Sequence, residues 1–298
     1  MITLKKGTLF VAFAMLLLLM SACGSTATTP GTGSGGSNNG SSSQTPSQVL
    51  QKSFTAMQQL KSAHFDMNLS DTTSVTGVGA TPTSGSGSTP RQIAITATGS
   101  GDEALPGKSS LKLMLNLGAA ANGKNYNFNE IVIDKQLYVQ NSKGQWYVID
   151  ESKMTGANPA AGTNASAYNK LLQIAQKAKL TDHGMENVNG QNLRHITATF
   201  GNDALQQLLS ATGQGNSQAA SAINLQQATF DVWVDEATSY THKIELKLAL
   251  GVNSPTPTAS GSKSGASTSL DITLNYSKFN DPVTISAPAN AIPTTNIL

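Results

Sequence analysis

A period of two, recurring in segment after segment, constrains this chain more than any other feature. In Ala63-His64-Phe65-Asp66-Met67-Asn68-Leu69-Ser70 the side chains at 63, 65, 67 and 69 are apolar and those between them polar. Successive side chains of a strand point to opposite faces, so this is the pattern of a half-buried strand; a helix repeats its apolar positions every three or four residues. The alternation returns at Ile93, Ile95 and Ala97, at Leu111, Leu113, Leu115 and Leu117, at Ile244 to Leu250, and at Leu270, Ile272, Leu274 and Tyr276. Further strands are predicted at Tyr126, Phe128 and Ile131 to Ile133, behind the Asn189-Gly190 turn signal from Leu193 to Phe200, and at Phe230 to Val234. Leu137-Tyr138-Val139 and Trp146-Tyr147-Val148-Ile149 read as a hairpin across Ser142-Lys143-Gly144.

Helical spacing is rarer. Thr45-Pro46-Ser47-Gln48 combines an N-cap hydroxyl, a proline in the first turn and a glutamine that can close a capping box. Val49, Leu50, Phe54, Met57 and Leu60 then share one face. A second helix is expected from about Ser166 to Leu180, and a short third one after Asn202 through Leu205, Leu208 and Leu209. Short links between most strands favour antiparallel pairing over a βαβ arrangement. The expected fold class is α+β: a large antiparallel sheet of about ten strands, curved around two or three helices packed on its concave side.

The first 45 residues follow no such pattern. Lys5 and Lys6 precede an unbroken apolar stretch from Leu9 to Met20, which ends in Ser21-Ala22-Cys23. A charged start, a short apolar middle and small residues at a cut describe a signal peptide, here 1–22, and the stretch is too short to span a bilayer. Residues 24–45 carry no charge and no large apolar side chain, so they are expected to form a disordered tether with a reach of roughly 25 Å. Gly31-Thr32-Gly33-Ser34-Gly35-Gly36, within it, matches the dinucleotide fingerprint in letters only, because no strand precedes it and no helix follows. Residues 46–298 are expected to form one domain.

Cys23 is the chain's only cysteine, which excludes an internal disulfide and any cysteine-based metal site. Met20-Ser21-Ala22-Cys23 resembles the lipobox of bacterial lipoproteins, and that resemblance implies acylation of Cys23 and a lipid anchor on the extracytoplasmic face of the cell membrane. Removing residues 1–22 takes away Lys5 and Lys6 and lowers the formal charge from +2 to zero. With 12% charged residues and no basic cluster, the chain lacks the footprint of a nucleic-acid binder.

The order of several short motifs carries a second resemblance. Leu60-Lys61-Ser62-Ala63-His64-Phe65 is followed by Gln136-Leu137-Tyr138-Val139 with Gly144-Gln145-Trp146-Tyr147, then by Val188-Asn189-Gly190 with Arg194-His195-Ile196. Phe230-Asp231-Val232-Trp233-Val234-Asp235 with Lys243-Ile244, and a closing Asp281-Pro282-Val283 and Pro288, complete the series. Together they resemble the LppX/LprG group of actinobacterial lipoproteins over most of residues 46–292, with extra Gly/Ser/Thr/Pro loops near 76–90 and 252–267. The resemblance implies a LolA-like half-barrel enclosing an apolar cavity for the acyl chains of a lipid or glycolipid. It also implies an envelope transporter as a partner. Candidate lining residues come from the alternating set: Phe65, Met67 and Leu69; Ile93 and Ile95; Leu113, Leu115 and Phe128; Ile244, Leu246 and Leu248; Ile272 and Leu274. Alternation of this kind suits a filled core as well as a lined cavity, so the residues alone leave both open.

No catalytic constellation emerges, and neither an enzyme nor a cofactor is expected. His64, His183, His195 and His242 stand apart in sequence, with no HExxH spacing, and read as surface or hydrogen-bonded histidines. Asp102-Glu103, Asp150-Glu151 and Asp235-Glu236 read as solvated pairs at strand ends or turns, and Trp146 and Trp233 as packing residues. Two functions remain: a membrane-anchored lipid carrier or extractor, and an envelope protein-interaction or sensory module on the same scaffold without lipid cargo.

Overall fold

The structure, a computed structural model, describes residues 44–76, 91–118, 123–150, 178–204, 223–253 and 265–294. The chain enters it at Gln44 and turns at once into helix α1 (Pro46–Gln58). The capping box is formed: the Gln48 amide donates to Thr45 Oγ1 at 3.3 Å, and the Thr45 amide donates to Gln48 Oε1 at 2.9 Å. Two of the helix's otherwise orphaned donors are thereby satisfied, so a helix of only three turns is held at its start.

Twelve strands follow among the described residues: β1 (Ser62–Thr76), β2 (Arg91–Ala104), β3 (Lys108–Asn116), β4 (Asn125–Ile133), β5 (Gln136–Gln140) and β6 (Trp146–Asp150), then β7 (Lys179–Val188), β8 (Gln191–Thr199), β9 (Ile223–Val234), β10 (Thr241–Asn253), β11 (Gly265–Ser277) and β12 (Ile292–Pro293). They make one open sheet in the order β12-β6-β5-β4-β3-β2-β1-β11-β10-β9-β8-β7. Every pairing is antiparallel except the two-residue contact of β12 with β6. Two meanders, β1 to β6 and β7 to β11, therefore meet where β1 pairs with β11.

The register at that seam puts like with like. Phe65 lies opposite Tyr276 on β11 and Gly101 on β2, Met67 opposite Leu274 and Gly99, and Leu69 opposite Ile272 and Ala97. Slipping either pairing by one residue would carry these side chains to the other face, so burial fixes the register. The two glycines make room for the large side chains beside them: a methyl group at Gly101 would sit 2.5 Å from Phe65 Cζ. The core centred here contains Leu60, Ala63, Phe65, Met67, Leu111, Leu113, Leu246, Ile272 and Leu274, all buried. Each such side chain, fully buried, contributes about 1.5–3 kcal/mol relative to exposure.

Helix α1 lies on the same face, further along the sheet. Val49 and Leu50 pack against Ile196, Val232 and Val234 of β8 and β9, and Met57 joins the central core. Between them buried Ser53 shares a 2.6 Å hydrogen bond with Thr241 at the start of β10. The packed face, called the inner face below, is thus the one that carries the odd-numbered residues of β1 and β2.

Two expectations change. Strand β7 occupies Lys179–Val188, so Lys179 and Leu180 are strand and not the end of the expected helix; the other apolar positions of that helix, and Leu205, Leu208 and Leu209, lie outside the described residues. The reason is position: β7 is the sheet's last strand, exposed along most of its length, and it needs no alternating apolar set. Glu103 is the second. It is 5% exposed in β2, opposite buried Ala63, and not a solvated turn residue. Its neighbour Asp102 points the other way, to His64, as alternation in a strand requires.

Candidate functional site

All thirteen apolar candidates fall on the inner face. The ladders align Leu113 with Gly99 and Phe128, Leu115 with Ala97, Ile95 and Ile93 with Asp71 and Thr73, and Ile244, Leu246 and Leu248 with Leu274, Ile272 and Leu270. They are not equally accessible. Phe65, Met67, Leu113, Leu246, Ile272 and Leu274 are buried; Leu69, Ile93, Ile95, Leu115, Ile244 and Leu248 are half-buried. Phe128 is 40% exposed, and its neighbour on the same face, Tyr126, is 38% exposed. The apolar surface therefore runs without a polar break from the buried seam at β1 and β11, across Leu113 and Leu115, to two exposed aromatic rings on β4. Cys23 lies outside the described residues.

Residues 45–296 match the model of a family of unknown function, DUF6612. The chain belongs to that family. No curated protein matches this DUF6612 chain. Among solved structures, it is similar to the lipoprotein LppX of Mycobacterium tuberculosis, at 17% identity and a TM-score of 0.41, over 80% of this chain and 96% of that one. LprF from Mycobacterium bovis matches at 14% identity and a TM-score of 0.40, over 82% and 96% of the two chains. An outer membrane lipoprotein-sorting protein domain from Vibrio parahaemolyticus matches at 12% and 0.22, over 79% and 92%. The family that is shown has no assigned function, and the LppX/LprG likeness read from the motifs stands as a resemblance.

Among the carboxyl groups that the ladders place on the described inner face, which include Glu130 opposite Leu111, two are pushed toward the neutral form by burial. Glu103 sits at the helix-proximal end of β2, where burial pushes its pKa up to about 8, and its Oε1 has no hydrogen-bond partner among the described residues. Asp71 sits at the other end of β1, opposite Leu270 and Ile95; burial raises its pKa too, and its Oδ1 is also without a partner. Taking a carboxylate out of water disfavours its charge, so both favour the protonated form relative to a free side chain.

Arg194, 8% exposed on β8, is the inner face's compensated charge. Its guanidinium donates to Asp182 Oδ2 at 2.6 Å, to Glu236 Oε1 at 2.6 Å and to the Gln44 carbonyl oxygen at 2.6 Å. One side chain thus ties β7, the turn after β9 and the entry to α1. Glu236, expected as a solvated turn residue, is one of its anchors.

The outer face is polar. A groove of about 570 Å³ lies on it between β1 and β4, lined by Asp66, Thr98, Ser100, Lys112, Met114, Asn127 and Asn129 with the backbone side of Gly99 and Leu113. His64, His183 and His195 also lie there or at its edge, while His242 packs edge-on against Phe279 beside the central core; all four are less isolated than their sequence spacing suggests. His64 Nδ1 is 2.7 Å from Asp102 Oδ1, and the His183 and His195 rings stack at 4.4 Å. Trp233 is buried, but against the outer-face ring of His195 at 4.2 Å and not in the apolar core. Among the described residues, no helix is long and apolar enough to cross a membrane.

Proposed function

We propose that this chain is a membrane-anchored lipoprotein whose inner sheet face binds the acyl chains of a lipid or glycolipid at the cell envelope. The observation that carries the reading is the exposure of Phe128 and Tyr126 at the end of an otherwise continuous aliphatic surface. A core that closed on itself would cover its aromatic rings, since each buries 150–250 Å² when it can. An acyl chain laid along Leu115, Leu113 and Phe128 would remove that surface from water at about 0.8 kcal/mol per buried methylene.

The rest of the reading is consistent with this site. The signal peptide (1–22) directs the chain out of the cytoplasm, acylated Cys23 anchors it, and the uncharged tether keeps the sheet near the membrane without pressing it on the surface. With a mature formal charge of zero, attachment rests on acyl chains and not on attraction to anionic lipids. An envelope transporter would be the natural partner for loading or unloading.

Mass spectrometry of lipid extracted from residues 24–298, secreted behind a cleavable leader by a lipid-rich host, tests the proposal. Stoichiometric acyl lipid supports it. A folded protein that yields none, and that takes up no fluorescent fatty acid, leaves the lipid reading without support.

A further inference from the structure

The outer-face end of the sheet carries a cluster of metal-ligating side chains that lipid binding does not use. On β8, His195 places Nε2 2.9 Å from Asp231 Oδ1 on β9 and Nδ1 3.1 Å from Glu186 Oε2 on β7. On β7, His183 places Nε2 2.8 Å from Thr197 Oγ1, and that hydroxyl donates to the same Asp231 oxygen. One ligand atom from each of His183, His195 and Asp231 lies within 4.8 Å of the others. We propose that these three residues bind a borderline first-row dication such as Zn²⁺, leaving further coordination positions to water.

Two imidazoles and one carboxylate are the donor set that Zn²⁺ takes when three protein ligands hold it. The separation of His195 Nε2 and Asp231 Oδ1 is already close to the roughly 3.3 Å edge of a tetrahedral site with bonds near 2.0–2.1 Å. Glu186 supplies what a ligating histidine needs on its other nitrogen: a carboxylate that accepts from Nδ1–H and leaves the Nε2 lone pair for the metal. That carboxylate is itself held, because Trp233 Nε1 donates to the same Oε2 at 2.7 Å. The His195 ring is fixed in its plane by stacking on Trp233, at an interplanar angle of 11°. Lys243, 4.1 Å over the opposite partner of that stack, the Trp233 ring, is paired with Glu245 and does not need these carboxylates.

His183 is the adjustable ligand. The β7 ladder shifts register between Asp182 and Gly184, so His183 is the extra residue of a bulge and Gly184, not His183, opposes His195. A bulge re-aims its side chain and loosens the strand, and Gly184 beside it has a φ of +78°. His183 is exposed, and coordination asks it to turn from its stack on His195 so that its lone pair enters the plane of the site.

The full mature lipoprotein, acylated at Cys23, free of any affinity tag and stripped with EDTA, is titrated with ZnCl₂ against a chromophoric chelator at pH 7.5. One equivalent is expected to bind, with affinity reduced at least tenfold by His183→Ala and by Asp231→Asn, and tenfold or more by Glu186→Gln acting through His195. His64→Ala, on β1 away from the cluster, should change nothing. CoCl₂ in place of zinc should give the intense visible bands of a tetrahedral N/O site, lost in His183→Ala. Because His183 is exposed, that variant should keep the parent's thermal midpoint without metal, which separates loss of ligand from loss of fold. Absence of stoichiometric binding by the folded parent, or binding that His183→Ala and Asp231→Asn leave intact, overturns the proposal.

Discussion

Phe65 on β1 lies over Gly101, its cross-strand partner on β2, so closely that a methyl group on Gly101 would stand 2.5 Å from Cζ and 2.1 Å from the Ser110 carbonyl oxygen. The second contact is with backbone and cannot be relieved by a rotamer change. Gly101→Ala is therefore expected to destabilise the fold by about 1–3 kcal/mol or more, through the strain of overpacking. Gly201→Ala, where a methyl group meets nothing within 4 Å, is the control and should stay within about 0.5 kcal/mol. Urea unfolding followed by tryptophan fluorescence checks both, and an unchanged midpoint for Gly101→Ala would show that the ring has room to move.

That contact was half legible in the sequence. Alternation named Phe65 and the odd-numbered set, and the ladders bring all thirteen apolar candidates to one face. The capping box at Thr45 and Gln48 was equally readable, because its signal is local. What alternation could not give was which strand lies beside which, and so that Phe65 faces Gly101. Strand β7 escaped because an exposed edge needs no apolar period. Glu103 was hidden by its neighbour: two adjacent acids read as a turn until the strand sends one inward and the other outward. The His183 and His195 contact had one usable signal. A two-residue turn at Asn189-Gly190 pairs position 184 with 195, and only the bulge then moves His183 against the ring.

Glu103 gives the fold a pH dependence of definite sign. Burial raises its pKa from 4.5 to about 8, so between those values the folded chain binds more proton than the unfolded one, and stability falls as pH rises. Its contribution is intact below about pH 4.5 and is lost as pH passes 8. Glu103→Gln keeps the shape of the neutral acid and removes the titration. It should be more stable than the parent at pH 9, by an amount on the order of 5 kcal/mol, and close to it at pH 5. Thermal midpoints across pH 5–9 measure the difference; parallel curves would mean that the carboxyl is hydrated when it ionises.

Arg194 acts in the opposite direction. Its hydrogen bonds hold the Asp182 carboxyl below the ordinary aspartate range, so the pair adds stability above the unfolded pKa near 3.9 and loses it as pH falls through the lower folded value. Asp182 and Glu236 are partly exposed, which screens the pair and keeps its worth well below that of a buried triad. Arg194→Met is expected to cost about 1–2 kcal/mol at pH 7 and to flatten the decline between pH 4 and 2. It should also loosen the start of α1, because Gln44 loses its donor. Hydrogen exchange at the Val49 amide, which donates to the Thr45 carbonyl, reports that loosening directly.

The two faces of the sheet offer matched substitutions for the lipid reading. Phe128 and Met114 sit on neighbouring strands and are 40% and 47% exposed, but Phe128 is on the inner face opposite Leu113 while Met114 is on the outer face opposite Asn127. Replacing either by serine removes a similar amount of exposed apolar surface and should leave the unfolding midpoint nearly unchanged. If acyl chains lie along the inner face, Phe128→Ser alone loses the contact of its ring, which at about 25 cal/mol per Å² of buried apolar area corresponds to roughly a tenfold weaker binding of a fluorescent fatty acid. Met114→Ser should bind as the parent does. Equal losses in both variants, or none in Phe128→Ser, would place the lipid elsewhere than on the inner face of β3 and β4.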